Sequence, residues 1–206
     1  MPVLPDGPPA GLSEIGVTVA LFTLRDGRVV RIRPVVPADR PAVVDFVRHV
    51  SQKSLELRFF CGVPDEAAIE EVMAQGRTTE RLSLLVETVD STREAVIGHG
   101  EYVRTPDDAS RAEVALLVAD DHQGLGAGTL LLRELGRRAR SVGIRSFDAI
   151  VLTENIAMRN VFTMSGYPCS LIVDRGQSEV ILDVTRAYQT SLAVIDPVRT
   201  VPILVA

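Results

Sequence analysis

The stretch that decides the fold is QGLGAGTLLLREL, Gln123–Leu135, in which three glycines fall within five positions directly before a helical pattern. Glycine tolerates left-handed backbone angles and lets a bound group approach without a Cβ in the way. A helix N-terminus also carries partial positive charge and unpaired N–H groups, both of which favour an anion. Two interpretations therefore compete: a plain glycine-rich turn between a strand and a helix, or a cradle of backbone N–H groups for a phosphate.

The composition limits the class of protein. The chain has 206 residues, of which 46% are hydrophobic and 24% charged, enough for one domain with a full core. A formal net charge of −5 argues against a general nucleic-acid binder, which needs a basic surface. The first residues lack a basic segment followed by an apolar one, and no apolar run approaches the ~18 residues of a membrane span. We therefore expect a cytoplasmic protein that binds neither nucleic acid nor membrane.

Residues that bind metals are few. The chain contains two cysteines, Cys61 and Cys169, and three scattered histidines, His49, His99 and His122. None of them shows the close spacing typical of a zinc site, so we expect no metal. Two isolated cysteines indicate buried thiols in a reducing compartment rather than a disulfide framework.

Hydrophobic periodicity predicts the element order β-β-α-α-β-β-β-α-β-α-β-β. Two β-rich runs flank Asp26-Gly27, a dipeptide typical of hairpin turns. One helix is predicted within residues 37–60 and a second after Pro64, and three β-rich runs then precede the glycines. The helix that follows the glycines is expected to bury one stripe, formed by Gly128, Leu132, Leu135, Ala139 and Val142.

This order predicts one α+β (mixed α/β) domain. We place the domain at residues 17–186. Residues 1–16, rich in proline and glycine, are expected to form a loose extension, and residues 187–206 a C-terminal tail of unknown role.

Known phosphate-binding sequences narrow the meaning of the glycines. GLGAGT lacks the lysine of a P-loop nucleotide site, and a dinucleotide fingerprint would need a third glycine where Leu131 stands. What remains is Gln123-x-x-Gly126-x-Gly128 between a strand and a helix. Together with ENIAMRNVFTMSGY (residues 154–167), which follows about 30 residues later, it resembles the acyl-CoA-binding motifs of the GNAT N-acetyltransferase superfamily.

The resemblance covers roughly residues 29–186 and is more specific toward the N-terminus. LRDGRVVRIRPVVPADRPAVVDFVRHVSQKSLELRFF (residues 24–60) is similar to the opening of bacterial Pat-type protein lysine acetyltransferases. The resemblance implies a single GNAT-like domain, with a mostly antiparallel sheet and helices on both faces. It also implies acetyl-CoA as co-substrate and an amine acceptor, either a protein lysine or a small molecule.

The resemblance further implies where acyl-CoA binds. Backbone N–H groups of the glycine loop face the diphosphate, and the preceding strand pairs with the pantetheine arm. An asparagine contacts the pantetheine or caps its own helix, and arginines such as Arg133 either reach phosphates or form a solvated helix face. The implied cofactor-binding residues are Leu116, Leu117, Val118, Gln123, Gly124, Leu125, Gly126, Ala127, Gly128, Asn155 and Arg159.

Amine acylation benefits from a general base, because a lysine amine with a pKa near 10.4 is protonated at neutral pH. In the Pat-type pattern the glutamate of the A-E-V-A strand has this role, which implies Glu113. The five residues from Glu113 to Val118 span roughly 16 Å as a strand, about the length of a pantetheine arm. The alternative for Glu113 is a solvated carboxylate paired with Arg111. Glu101 and Glu87, on neighbouring strands, are the other candidate bases.

The acid for the leaving thiolate departs from the family pattern. Many GNAT enzymes carry a tyrosine in the second motif, and Phe162 stands at that position here. Either Tyr167 or Ser165 replaces it, or the thiolate leaves without an assigned acid. The missing tyrosine also leaves room for a non-catalytic acyl-CoA-binding sensor. Pairing of the C-terminal tail with a neighbour's sheet edge would give a homodimer.

Overall fold

The computed structural model describes residues 18–60, 65–89, 94–186 and 199–202 of the chain. Within these ranges the strands are β1 Thr18–Thr23, β2 Val29–Pro34, β3 Arg81–Thr88, β4 Val96–Thr105, β5 Asp108–Val118, β6 Ser146–Leu152, β7 Cys169–Asp174, β8 Gln177–Asp183 and β9 Arg199–Pro202. The helices are α1 Arg40–His49, α2 Gln52–Phe59, α3 Glu66–Ala74, α4 Ala127–Ser141 and α5 Ile156–Thr163. The predicted N-terminal extension and Cys61 lie outside the described residues.

All the described strands belong to one sheet, in the order β7-β8-β6-β5-β4-β3-β2-β1-β9. Every neighbouring pair is antiparallel except β5 and β6, which run parallel. The β1–β2 hairpin turns at Asp26-Gly27, where Gly27 has a φ of 89°. The predicted mostly antiparallel α/β sheet is therefore confirmed.

One helix predicted within residues 37–60 is in fact two. Val50 is extended, with φ −82° and ψ 135°, and it separates α1 from α2. Ser51 then caps α2 by accepting a hydrogen bond from the Ser54 N–H. The break is stabilised from elsewhere in the chain, because Asp120 accepts hydrogen bonds from the backbone N–H and the hydroxyl of Ser51. Such a distant partner leaves no mark in the periodicity of the helix.

Helices cover both faces of the sheet, as predicted. The stripe of α4, with Leu132 and Leu135 fully buried, packs on the face that carries Val114 and Leu116 of β5. The predicted stripe member Val142 is instead 41% exposed, because α4 ends at Ser141. The opposite face is covered by α1, α2 and α3, whose apolar side chains form a second cluster with Leu85, Leu117 and Ala119.

Strands β5 and β6 pair over only a short stretch. Their last paired residues are Glu113 and Asp148, and β5 then continues to Val118 and β6 to Leu152 without pairing to each other. The sheet therefore splits open at this point, next to the loop that leads into α4.

The described part of the C-terminal tail pairs within its own chain. Strand β9 lies antiparallel to β1, with Val201 opposite Val19. Residues 199–202 therefore pair with β1 and form the edge of the sheet, and the homodimer stays a prediction. The remainder of the tail lies outside the described residues.

Candidate functional site

The parting of β5 from β6 opens a groove of about 670 Å³. It is bounded by the glycine loop, by the parted strands, by α5 and by one side of α2. Nine of the predicted cofactor-binding residues line it: Leu116, Leu117, Val118, Gln123, Gly124, Gly126, Ala127, Gly128 and Asn155. Leu125 and Arg159 do not line it. Of the candidate catalytic residues, Glu113 lines the groove and Glu101 and Tyr167 do not.

The glycines of the loop have different structural requirements. Gly126 is the N-cap of α4 with a φ of 104°, and Gly124 has a φ of 74°, so both occupy the left-handed region that disfavours other residues. At Gly128 a Cβ would lie 3.2 Å from Cγ2 of Val161, so this glycine permits close packing of α4 on α5. The first backbone N–H groups of α4 have no acceptor within the helix and open onto the groove.

Gln123 and Leu125 hold the loop in place. The Gln123 Nε2 donates to the Ser54 Oγ at 3.2 Å and to the Val118 carbonyl oxygen at 3.1 Å. Leu125 is half-buried against the core, and its carbonyl oxygen accepts a hydrogen bond from the Arg25 N–H at 3.1 Å. The glutamine of the motif therefore ties the loop to α2 and to the end of β5.

Two basic side chains that the sequence analysis missed line the groove beside the loop. Arg25, from the β1–β2 turn, donates through Nη1 to the Gly124 carbonyl oxygen at 3.2 Å. The Nε2 of His122 lies 2.7 Å from the Arg28 Nη1, and His122 also lines the groove. Arg25 is 99 positions from Gly124 in the chain, so no local pattern could have indicated this contact.

The arginines that the sequence suggested for phosphates are engaged elsewhere. Arg133 donates through Nε to the Ser165 carbonyl oxygen at 2.8 Å, and Arg159 donates through Nη1 to the Thr153 carbonyl oxygen at 3.3 Å. Neither side chain lines the groove. Both therefore hold the segments around α5 together.

Glu113 lies where the two strands part. Its side chain is exposed and lines the groove, and it makes no hydrogen bond or ion pair within the part of the chain that the structure describes. Arg111 instead pairs with Asp148 through two contacts of 2.9 and 2.6 Å. The alternative in which Arg111 neutralises Glu113 is therefore wrong, because Asp148 on β6 occupies that arginine.

The two other candidate bases are buried in ion pairs. Glu101 is 4% exposed and contacts Arg58 at 2.8 Å and Arg81 at 3.5 Å. Burial raises the pKa of Glu101, and the two arginines act in the opposite direction. Glu87 is 6% exposed and pairs with Arg31 and Arg33. Both carboxylates are thus less accessible to a substrate than Glu113.

Arg58 connects the buried charges to the groove. It projects from α2, lines the groove and donates through Nη2 to the Glu101 Oε1. Its charge also interacts favourably with Glu113. The sequence analysis gave it no role, because only the packing of α2 against β5 brings it to the site.

No side chain suited to protonate a leaving group was found among the predicted candidates. Tyr167 is 4% exposed and its hydroxyl donates to the Arg133 carbonyl oxygen at 3.1 Å. Ser165 is fully buried, and its hydroxyl oxygen accepts from the Tyr167 N–H. Phe162, at the position of the family tyrosine, lines the groove with a ring that cannot donate a proton. No tyrosine lines the groove within the described ranges.

Asn155 serves as the N-cap of α5. Its Oδ1 accepts a hydrogen bond from the Met158 N–H at 3.0 Å. The residue also lines the groove, so the capping role and a contact with a bound molecule are compatible.

Cys169 and His99 do not line the groove. Cys169 is half-buried on β7, and burial raises the pKa of its thiol. His99 is fully buried, and burial lowers its pKa to about 3. Among the described residues no group of three histidine, cysteine or acidic side chains is placed to hold a metal ion. No described helix is long and apolar enough to cross a bilayer.

Comparison with known proteins gives a consistent result. Residues 52–167, more than half of the chain, match the acetyltransferase (GNAT) family. Acetyltransferase Pat of Mycolicibacterium smegmatis is 32% identical over 151 residues, which are 73% of this chain and 44% of that relative. Acetyltransferase PA5475 of Pseudomonas aeruginosa is 29% identical over 148 residues, 70% of this chain and 78% of that relative.

A solved structure supports the same assignment. The crystal structure of the GNAT domain of S. lividans PAT superposes with a TM-score of 0.70 and is 30% identical, covering 80% of this chain and 96% of that domain. The predicted resemblance to GNAT enzymes of the Pat type is therefore confirmed. The chain belongs to the GNAT acetyltransferase family.

Proposed function

We propose that this protein transfers an acetyl group from acetyl-CoA to the Nε amine of a protein lysine, with Glu113 as general base. The observation that carries the proposal is the groove that opens where β5 and β6 part, because it joins the glycine loop at one end to an exposed, unpaired carboxylate at the other. Donor and acceptor would bind together in this groove, and the transfer would be direct.

The donor end fits a diphosphate. The unpaired N–H groups at the start of α4 and the partial positive charge of its N-terminus favour an anion. Gly124 and Gly126 leave no side chain in the way, and Arg25 adds a full positive charge beside them. Along β5, the backbone beyond Glu113 has no strand partner on its β6 side, which faces the groove, as pairing with an extended pantetheine arm requires. Acetyl-CoA, when bound, supplies the activated thioester.

The acceptor end fits a proton transfer. A lysine amine must lose a proton before it attacks, and a carboxylate within reach can take that proton directly or through one water. Glu113 is free to do so because Asp148 holds Arg111. Arg58 lines the same groove, so a second charged side chain lies near the proposed base.

The leaving group needs no assigned acid in this proposal. Phe162 cannot donate a proton, and Tyr167 and Ser165 are buried away from the groove. A thiol with a pKa near 8.5 is a tolerable leaving group as its thiolate, so the thiolate can take its proton from solvent after it leaves.

The resemblance of residues 24–60 to Pat-type protein lysine acetyltransferases supports a protein lysine as the acceptor. Two of the relatives carry the Pat name. The chain spans only 44% of the length of the Mycolicibacterium relative, so that relative's other properties are not transferred. A small amine is the alternative acceptor that the following experiment distinguishes.

The test is thiol release from acetyl-CoA by the purified chain, with lysine peptides, free lysine and simple amines as acceptors. We expect peptides to be acetylated, and Glu113→Gln to lower kcat by about 100-fold or more while acetyl-CoA binding measured by calorimetry is kept. Glu71→Gln, an exposed glutamate on α3, is the matched control and should behave as wild type. If the wild type turns over with small amines alone, the acceptor is a small amine and not a protein lysine. If Glu113→Gln turns over as fast as the wild type, Glu113 is not the base.

A further inference from the structure

Among the described helices, none covers the side chains of one sheet face next to the groove. Helices α1, α2 and α3 cover β3, β4 and β5 on the Glu113 side, whereas β6, β8 and β7 expose apolar residues there. Ile150 is 53% exposed, Ile172 56% and Ile181 40%. We call this surface, formed by Ile150, Ile172, Gln177, Glu179 and Ile181, the open face.

The strand register places one acidic side chain in the middle of these isoleucines. Glu179 on β8 lies opposite Ile150 of β6 on one side and Ile172 of β7 on the other. Its side chain is exposed, and no hydrogen bond or ion pair to it occurs within the described ranges. A carboxylate flanked by apolar side chains suits a partner that combines a cation with an apolar stem, which is the chemistry of lysine and arginine.

The open face continues directly from the reactive end of the groove. Glu113 lies opposite Asp148, and Ile150 follows Asp148 on the same face of β6. Ile150 and Gln177 also line the groove itself. With strands about 4.8 Å apart and two residues spanning about 6.6 Å, Glu179 lies roughly 12 Å from Glu113. An extended segment covers a similar distance, about 10 Å, in three residues.

We propose that the open face binds the acceptor protein, and that Glu179 selects a basic residue about three positions from the lysine that is acetylated. This inference rests on the proposed function and names its substrate class: an extended segment with two cations, one delivered to Glu113 and one held by Glu179. The flanking isoleucines contact the stem of the second cation and the residues between the two.

The test compares three acceptor peptides that differ only at positions three residues before and after a single lysine: arginine, glutamine or glutamate. With wild-type protein, thiol release should give kcat/KM values about threefold to tenfold higher for the arginine peptide than for the glutamine peptide, through KM. Glu179→Gln should remove this preference and Glu179→Lys should reverse it in favour of the glutamate peptide. Because Glu179 does not contact the reacting atoms, kcat should stay within about twofold.

Glu71→Lys is the matched control, because it makes the same charge change at an exposed glutamate on α3 and should keep the wild-type preference. Equal kcat/KM values for the three peptides, or a preference that survives Glu179→Lys, would overturn the inference and leave the proposed function standing. Acetylation of small amines but of none of the peptides would refute both. A dimer in sedimentation that Ile172→Asp dissociates without any change in peptide preference would assign the open face to a second copy of this chain instead.

Discussion

Gly126→Ala and Gly143→Ala test the role of the glycine loop, because the two glycines flank the same helix in the same backbone region. Gly126 precedes α4 with a φ of 104°, and Gly143 follows it with a φ of 84°. A Cβ at Gly143 would meet no atom within 4 Å. The two substitutions therefore impose similar backbone strain, but only one of them lies on the groove.

The expected magnitudes follow from this geometry. A left-handed conformation costs a residue with a Cβ about 1–2 kcal/mol, so each variant should lose roughly that much free energy of unfolding and about 2–8 °C in Tm. At Gly126 the strain is relieved by rotating the peptide that presents N–H groups to the groove. Losing one hydrogen bond to a charged group costs about 1.5–3 kcal/mol, or about tenfold to 100-fold in affinity. Gly143→Ala should bind as wild type.

The assay is calorimetric titration of each variant with acetyl-CoA, with thermal unfolding followed by circular dichroism. Equal destabilisation of the two variants with weakened binding only in Gly126→Ala would support the cradle of N–H groups. Two results would refute the reasoning. If Gly126→Ala bound acetyl-CoA as tightly as the wild type, the loop would not belong to the binding site. If both variants lost the same affinity, the loss would follow from helix destabilisation and not from the loop N–H groups.

Three other predictions follow from contacts in and around the groove. Arg25→Ala should raise the KM for acetyl-CoA about fivefold with kcat unchanged, because a single positive charge beside the loop is lost. Added salt should raise the KM of the wild type toward that of the variant. A fall in kcat alone would contradict this. Tyr167→Phe should leave kcat within about twofold and lower the free energy of unfolding by about 1 kcal/mol, since its buried hydroxyl donates to the Arg133 carbonyl oxygen. A roughly 100-fold loss of kcat would instead support Tyr167 as the acid. His99 has its pKa lowered to about 3 by burial. The unfolded chain therefore binds the proton more tightly, and the free energy of unfolding should fall as pH drops from about 6.5 toward 3. In urea titrations between about pH 3 and 6.5, His99→Leu should reduce the dependence of the free energy of unfolding on pH. An unchanged dependence would show that other groups produce it.

The sequence predicted the parts of the site that depend on local pattern. The strand, loop and helix around Gly126 follow from the change of hydrophobic period and from the glycine spacing, and Asn155 is recognisable as a helix cap from its position before an apolar helix. Glu113 was chosen as the candidate base because its strand resembles that of Pat-type enzymes. Each of these residues is placed by its near neighbours in the chain.

The residues that sequence analysis missed or misplaced are placed by distant partners. Arg25 reaches the loop from the first hairpin, and Arg58 reaches Glu101 only after α2 packs on the sheet. Tyr167 was assigned a chemical role because its motif position is close to the groove, whereas its ring packs beneath α4, against the position of Gly136. Spacing predicts which element carries a side chain, but the packing of that element decides which way the side chain faces.

The ion pair between Arg111 and Asp148 explains why the site can exist where it does. Arg111 and Glu113 lie two positions apart on β5 and so share one face of the strand, where an unopposed arginine would pair with the glutamate. The parallel register instead sets Asp148 of β6 opposite Glu113, and Asp148 accepts hydrogen bonds from Nε and Nη2 of the Arg111 guanidinium. The strands part immediately beyond this pair, so the carboxylate that remains faces the groove. Asp148 is therefore both the last residue of β6 that pairs with β5 and the partner of Arg111, and this leaves Glu113 unpaired for the base role proposed for it.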